Sequence, residues 1–243
     1  MARWLITGCS TGIGREIARA ALEDGQSVVV TARRAESVSD FADHFGDRAA
    51  IVALDVTDKD QITAAVRAAD ERFGGVDVLV NNAGIIRRAD AVDFSEADWD
   101  AVMDTNLKAL FFTCQAFARA AIPRGRGKIV NIGSLTSDLA RPTIAPYAVS
   151  KGGIKMLTRA MAAEWGALGI QANAIGPGYM VTDMNQALIE NPDFDAWVKA
   201  RTPMRRWGQP KELVGLAIFL SSDASNFVSG QLIYADGGIT AVL

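Results

Sequence analysis

Residues 4–14 read WLITGCSTGIG, an apolar run that passes directly into a glycine-rich turn and then into a helical pattern. Glycines between a strand and a helix allow the backbone to approach a diphosphate, and the N–H groups of the first helical turn can bind it. A tight turn that only packs closely would use the same glycines. The position of this loop in the first β–α unit favours nucleotide binding.

The same alternation of strand and helix continues along the chain. The predicted strands are 4–7, 27–31, 50–54, 76–80, 128–132, 171–175 and 232–234. They are nearly continuous runs of Val, Ile and Leu, which is typical of parallel strands buried on both faces. The predicted helices are 13–24, 37–45, 58–73, 96–122, 147–168 and 210–221. The fold class is therefore α/β: a Rossmann-type, doubly wound parallel sheet of seven strands flanked by helices, in a single domain over residues 1–243.

The least regular part of the chain follows the sixth predicted strand. It is rich in proline and contains four aromatic residues that are expected to be exposed: Tyr179, Phe194, Trp197 and Trp207. A long loop with its own short helices in a compact domain is usually functional. We expect a substrate lid near residues 178–208.

The charge balance and the rarity of histidine and cysteine narrow the chemistry. The chain has 25 basic and 28 acidic residues, a net charge of −3, which disfavours a nucleic-acid partner. His44 is the only histidine, and Cys9 and Cys114 are too few and too far apart for a disulfide framework or a metal site. We expect no metal, and proton chemistry from Ser, Tyr, Lys or carboxylate groups.

No apolar run approaches the roughly 18 residues of a membrane-spanning helix. The first residues also lack the apolar core of a signal peptide. The expectation is a cytoplasmic protein with no membrane partner.

The end of the second predicted strand bears on the choice of nucleotide. In this fold an acidic residue there binds the 2′-hydroxyl of NAD, whereas an arginine accommodates the 2′-phosphate of NADP. The chain has Arg33 and Arg34 at this point and no acid. Guanidinium groups bind phosphate through two parallel hydrogen bonds. A solvated pair of charges is the alternative, but the arginines favour NADP(H) as the cofactor.

Three further residues suggest the chemistry. Tyr147 and Lys151 lie one turn apart at the start of a predicted helix, and Ser134 follows the fifth predicted strand, at the edge where ligands of parallel sheets bind. A tyrosine has a pKa of about 10, and a neighbouring ammonium lowers that pKa towards neutrality. A surface helix can contain such a Tyr/Lys pair by chance. The order of glycine loop, serine, tyrosine and lysine is far more specific.

These features resemble the short-chain dehydrogenase/reductase family over essentially the whole chain. The matching stretches are TGCSTGIG (7–14), LDV (54–56), NNAG (81–84), DTNLKALF (104–111), IGS (132–134), YAVSK (147–151), PGYMVT (177–182) and DGG (236–238). The resemblance implies the catalytic residues Asn106, Ser134, Tyr147 and Lys151. The implied cofactor-binding residues, beside Arg33 and Arg34, are Gly8, Ser10, Thr11, Gly12, Ile13, Gly14, Asp55, Val56, Asn82, Ala83, Gly84, Tyr147, Lys151, Pro177, Gly178, Met180 and Thr182.

The resemblance also implies a mechanism. Tyr147 exchanges a proton with the substrate oxygen, and Ser134 holds that oxygen in place. Lys151 lowers the pKa of Tyr147 and binds the nicotinamide ribose, and Asn106 supports a water relay behind it. Hydride passes between the cofactor and the substrate carbon. Members of the family commonly form homotetramers through the two long helices and the last strand.

Two halves of the chain resemble different branches of the family. The second half, with TIAPYAVSKGGIKMLTRAMAAE (143–164) and RTPMRRWGQPKEL (201–213), is similar to gluconate 5-dehydrogenases, which are also 5-keto-gluconate reductases. The opening looks more like NADP-dependent reductases of the steroid and retinol type. The expected function is an NADP-dependent oxidoreductase that interconverts a secondary alcohol and a ketone on a small-molecule substrate, a sugar acid or polyol.

The predicted substrate-binding residues are Arg88, Ser134, Tyr147 and Tyr179. Arg87 and Arg88 follow the NNAG stretch and could pair with a carboxylate, although surface charge on a loop explains them equally well. Alternative functions are a 3-oxoacyl carrier-protein reductase, a broad-specificity carbonyl reductase and a non-catalytic NADP sensor. The intact catalytic set disfavours the sensor.

Overall fold

A parallel sheet of seven strands forms the centre of the fold in this computed structural model, which describes residues 1–242. The strands are β1 (Arg3–Ile6), β2 (Ser27–Ala32), β3 (Ala49–Ala53), β4 (Val78–Asn81), β5 (Gly127–Ile132), β6 (Ile170–Pro177) and β7 (Leu232–Ala235). Their order in the sheet is β3-β2-β1-β4-β5-β6-β7. This confirms the predicted fold class, and each predicted strand overlaps an observed one.

The strand order reverses beside β1, which pairs with β2 on one side and with β4 on the other. Ile6, the last residue of β1, lies in register with both Val30 and Val80, so the three strands end within two residues of the same level. Ligands of such sheets bind in the crevice outside the carboxyl ends of the strands at this reversal. The glycine-rich loop after β1 therefore lies where a ligand is expected.

The helices of residues 1–242 cover both faces of the sheet. They are α1 (Gly12–Glu23), α2 (Asp40–Phe45), α3 (Lys59–Phe73), α4 (Glu96–Met103), α5 (Ala109–Ala121), α6 (Ala145–Trp165), α7 (Gln186–Ile189), α8 (Pro192–Arg201) and α9 (Val214–Ser221). The predicted helices 37–45 and 210–221 are each divided, because a 3-10 turn precedes α2 and α9.

Successive side chains along each strand lie on opposite faces of the sheet and belong to two separate core layers. Leu5 and Val29 pack with residues of α3, α5 and α6, whereas Ile6 and Val28 pack with residues of α1 and α9. All four side chains are completely buried. Because both faces of the sheet are covered, its strands need apolar residues at consecutive positions.

The predicted helix 96–122 is interrupted. It begins as expected, with Ser95 Oγ accepting the N–H of Asp98 at 3.1 Å, but a π-helical turn at Asp104–Lys108 separates α4 from α5. A π turn inserts one extra residue into the helix and is frequent at functional sites. Here it contains the buried Asn106.

Residues 178–208, the predicted lid, contain α7 and α8. The last residues of this segment lie beside its first residues. Met180 and Gly208 form an isolated parallel bridge. The ring of Tyr179 contacts the rings of Phe194, Trp197 and Trp207 at 5.5–5.8 Å between centroids. Trp197 is 46% exposed, as expected, whereas Tyr179 and Phe194 are half-buried. Trp207 is only 6% exposed, so the expectation of exposure is wrong for it.

Within residues 1–242, no helix is both long and apolar enough to span a membrane.

Candidate active site

The loop after β1 packs tightly against the loop after β4. Gly8 has a φ of 71°, and a Cβ there would lie 2.9 Å from Ala83 Cα. A Cβ on Gly14 would lie 2.6 Å from the Gly8 carbonyl oxygen and would also collide with the Asn82 amide. That amide donates to the carbonyl oxygens of Thr7 and Gly8 at 3.1 and 2.8 Å. The glycines are therefore needed for this close approach of two strand ends.

Arg33 and Arg34 follow β2 and are exposed. None of the ion pairs within residues 1–242 includes either side chain. Across the same edge of the sheet, Asp55 accepts hydrogen bonds from the N–H and the hydroxyl of Thr57 at 2.9 and 2.7 Å. Arg33 therefore lines this end of the crevice, with Arg34 next to it in the chain, and neither guanidinium group forms an ion pair within residues 1–242.

Asn106 ties the π turn to the loop after β4. Its Oδ1 accepts the Ile85 N–H at 2.8 Å, and its Nδ2 donates to the Ile85 carbonyl oxygen at 2.9 Å. Nδ2 also donates to Ser150 Oγ at 3.2 Å. The side chain is 1% exposed, so its hydrogen bonds are made almost entirely within the protein.

Ser134 lies two residues beyond β5 with its hydroxyl oxygen already engaged. Its Oγ accepts hydrogen bonds from the N–H and the hydroxyl of Thr136 at 3.0 and 2.9 Å. A hydroxyl oxygen has two lone pairs and one proton. Because both lone pairs are used, the Ser134 proton is left to donate to another group.

Tyr147 and Lys151 lie in the first turns of α6, as the sequence predicts. The Lys151 Nζ lies 5.5 Å from the centroid of the Tyr147 ring and donates to the Ile132 carbonyl oxygen at 2.7 Å. This bond joins α6 to the end of β5. The serine, tyrosine and lysine are therefore brought to one place by two adjacent elements.

Burial governs the titration of both groups. It lowers the pKa of Lys151 to about 8, because the ammonium is removed from water. It also raises the pKa of Tyr147, against smaller lowering effects of the Ser134 hydrogen bond and the positive charge of Arg88. The net direction for Tyr147 is upward, opposite to the one expected from the sequence, because burial outweighs those two effects.

A cavity of about 660 Å³ extends from the end of β2 to the start of α6. The predicted site residues that line it are Gly8, Ser10, Thr11, Gly12, Ile13, Arg33, Asp55, Val56, Asn82, Ala83, Gly84, Ser134, Tyr147, Lys151, Pro177, Gly178, Met180 and Thr182. Five other predicted residues lie outside its lining: Gly14, Arg34, Arg88, Asn106 and Tyr179. Gly14 and Asn106 instead hold the loops that line the cavity in place, through the contacts described above.

A second arginine, close to Arg88, was not predicted. Arg141 lies between Ser134 and Tyr147 in the chain, and its guanidinium carbon is 5.2 Å from the centroid of the Phe194 ring. Its charge lowers the pKa of Arg88, although burial is the larger cause of that shift. Only its position between two predicted catalytic residues could have drawn attention to it, because a lone arginine in a loop has no periodic pattern.

Comparison with known proteins agrees with this arrangement. A family model described as enoyl-(acyl carrier protein) reductase matches residues 8–240. The chain belongs to the short-chain dehydrogenase/reductase family. It is 50% identical over 245 residues to gluconate 5-dehydrogenase of Gluconobacter oxydans, covering 100% of this chain and 96% of the relative. It is 45% identical over 238 residues to 5-keto-D-gluconate 5-reductase of Escherichia coli K12, covering 97% and 94% of the two chains.

A solved structure from the same family is equally similar. The gluconate 5-dehydrogenase of Burkholderia cenocepacia, in complex with NADP and tartrate, superimposes with a TM-score of 0.96 at 47% identity. The comparison covers 100% of this chain and 96% of the other. The short-chain dehydrogenase/reductase fold predicted from the sequence is thus confirmed along the whole chain.

Proposed function

We propose that the protein is an NADP-dependent oxidoreductase that interconverts a secondary alcohol and a ketone on a sugar acid or polyol of the gluconate and 5-keto-gluconate type. The observation that supports this most is the meeting of Ser134, Tyr147 and Lys151 in one cavity with the glycine-rich loop. Gluconate 5-dehydrogenase and 5-keto-D-gluconate 5-reductase are the names of two relatives at 45–50% identity.

The residues at the β2 end of the cavity fit NADP(H). Gly8 and Gly12 in the loop after β1 have no side chain that would keep a diphosphate from the backbone. Arg33 and Arg34, which form no ion pair within residues 1–242, suit a 2′-phosphate. Asp55 and Val56 would border the adenine, and Met180 and Thr182 the carboxamide. When bound, NADP(H) supplies or removes the hydride at the substrate carbon.

The protein's own part in the reaction is to hold one oxygen and move one proton. In reduction, Tyr147 donates its hydroxyl proton to the ketone oxygen, and in oxidation the phenolate takes the proton from the alcohol. Ser134 donates a hydrogen bond to the same oxygen, since its lone pairs are used by Thr136. A raised pKa keeps Tyr147 protonated at neutral pH, which suits it to act as the acid.

Lys151 and Asn106 support the tyrosine in different ways. Lys151 donates one N–H to the carbonyl oxygen of Ile132. Its two other N–H groups are available to the cofactor ribose and to groups beside Tyr147. Asn106 fixes the backbone of Ile85, which lines the cavity. We propose positioning as its role; the water relay behind Lys151 remains a prediction.

Arg88, which lies outside the cavity lining but near Tyr147, suits an acidic substrate under a lid. Arg88 lies close enough to Tyr147 for its charge to lower the pKa of that hydroxyl, and it donates to the Met184 carbonyl oxygen at 3.2 Å. Met184 and Tyr179 belong to residues 178–208, which we propose as the lid. A carboxylate paired with Arg88 would lie beside the reacting oxygen.

A steady-state screen tests this function. D-gluconate with NADP should be oxidised, and 5-keto-D-gluconate with NADPH should be reduced, much faster than simple ketones or acetoacetyl thioesters. Activity confined to thioesters would replace the proposal with a 3-oxoacyl carrier-protein reductase. The side chain of Arg206, which such a carrier could use for docking, is paired with Glu212 at 2.6 Å.

We propose a homotetramer in which a second copy covers the surface between α4–α5 and α6. Leu107, Phe111, Met156 and Leu157 line an open apolar groove of about 550 Å³ there, and Met156 is 61% exposed. Exposed apolar patches of this kind mark interaction sites. Light scattering should give a mass four times that of the chain, and Met156→Glu should lower it.

We propose the cytoplasm as the compartment, because Cys9 and Cys114 are both free thiols, as is usual in a reducing environment. Cell fractionation tests this assignment.

A further inference from the structure

Two loops meet beside Tyr147, and each contains an arginine. The Ala89 N–H donates to the Thr143 carbonyl oxygen at 3.1 Å, which joins the loop of Arg88 to the loop of Arg141. Thr143 has a φ of 69°, a conformation that residues with a β-branched side chain rarely adopt. The junction is maintained in spite of this strain, which is a common property of functional sites.

Both arginines also contact the segment proposed as a lid. Arg88 donates to the carbonyl oxygen of Met184, and Arg141 lies over the ring of Phe194 in α8, with 5.2 Å from its guanidinium carbon to the ring centroid. A contact with an aromatic face orients a guanidinium group but does not neutralise its positive charge. The two guanidinium groups are thus presented at the place where the lid meets the start of α6.

The two charges lack an acidic partner. Within residues 1–242, the ion pairs include Arg87 with Asp98 at 3.1 Å, but none includes Arg88 or Arg141. Arg141 acts on Arg88 as a like charge and lowers its pKa. Two neighbouring cations without an acid repel each other, and an anion between them removes that cost.

We propose that Arg141 binds the substrate carboxylate together with Arg88 and selects a sugar acid over an uncharged polyol. A carboxylate has two oxygens with lone pairs for both guanidinium groups, and charge-assisted bonds of this kind are among the strongest in proteins. This inference rests on the proposed function, because it concerns the substrate of that same site. It adds a second, unpredicted residue to the recognition of the acid.

D-gluconate and its primary amide, D-gluconamide, provide a matched pair of substrates that differ in charge. In Arg141→Gln, kcat/KM for D-gluconate with NADP should fall about 10- to 100-fold, mainly through KM, whereas the value for D-gluconamide should change little. Arg141→Lys should lose less, because the charge remains. Arg67→Gln, an exposed arginine on α3, is the control and should behave as wild type.

The outcomes separate this inference from the proposed function. If the wild type oxidises neither compound, the proposed function fails. If the wild type oxidises both equally well, the inference that the site selects the charged acid is overturned, while an oxidoreductase of a sugar acid or polyol stands. If the wild type prefers D-gluconate and Arg141→Gln keeps that preference, the inference is overturned while the function stands. An equal loss for both substrates, with NADPH fluorescence still showing binding, assigns Arg141 a structural role and also overturns it. Should Arg141→Gln not bind NADPH, Arg141→Met takes its place, and an unchanged preference for D-gluconate in that variant overturns the inference.

Discussion

The buried ammonium of Lys151 donates a hydrogen bond to the backbone carbonyl of Ile132, with 2.7 Å between nitrogen and oxygen. This bond joins the first turns of α6 to the last residue of β5. Ser134 lies two residues beyond Ile132, and Tyr147 lies one turn before Lys151. This hydrogen bond therefore helps to fix the separation between the two groups proposed to hold and protonate the substrate oxygen.

Burial of Lys151 should make stability depend on pH. Its pKa is lowered from 10.5 to about 8 in the folded chain. Between these values the unfolded chain binds a proton that the folded chain has lost, so the contribution of Lys151 to stability rises with pH. Urea unfolding from about pH 7 to 10 should show the wild type gaining stability relative to Lys151→Met. A pH-independent difference between the two proteins would contradict this.

Removal of the Asn106 carboxamide should destabilise the fold as well as the site. Asn106→Ala leaves the N–H and the carbonyl of Ile85 without their partner in a half-buried position. The free energy of unfolding should fall by about 1–3 kcal/mol, because unsatisfied buried polar groups are costly. Urea denaturation measures it, and an unchanged midpoint would show that water replaces the side chain at no cost.

Two helical glycines should respond in opposite directions to alanine. In Gly14→Ala the new Cβ would lie 2.6 Å from the Gly8 carbonyl oxygen, so the variant should lose stability and NADPH affinity together. A Cβ on Gly215 in α9 would point into open space, with no neighbouring group within 4 Å, and Gly215→Ala should gain about 0.5–1 kcal/mol. Thermal unfolding of the pair is the measurement. Similar effects in both variants would refute the packing role of Gly14.

The arginines after β2 should control the choice between the two nicotinamide cofactors. Arg33→Ser and Arg34→Ser should each raise the dissociation constant of NADPH about tenfold, since each removes a charged partner of the 2′-phosphate. The value for NADH, which lacks that phosphate, should stay the same. Fluorescence titration gives both constants, with Arg67→Ser as the control. An equal loss for both cofactors would remove the assigned role.

The sheet and the meeting of Ser134, Tyr147 and Lys151 in one place could be predicted from the sequence because their patterns are local. Buried parallel strands need consecutive apolar residues, and the spacing of Tyr147 and Lys151 alone places them one turn apart. The π turn around Asn106 could not be predicted, because apolar residues continue at helical spacing through it. Arg141 was missed for a different reason: only the folded chain brings its loop against the loop of Arg88.

The direction of the Tyr147 pKa shift shows a further limit of sequence reasoning. The neighbouring lysine suggests a lowered pKa, whereas burial in the folded chain raises it. Burial depends on every element packed around α6, which no local pattern contains. The same holds for Trp207, whose ring packs against Tyr179, a residue distant in sequence.

Reduction of 5-keto-D-gluconate by Tyr147→Phe tests the central claim most directly, because this variant removes one hydroxyl and leaves the ring in place. NADPH oxidation, followed by absorbance, should fall about 100- to 10,000-fold in kcat/KM. NADPH binding, measured by fluorescence, should remain as in the wild type. Near-wild-type turnover by Tyr147→Phe would contradict the account.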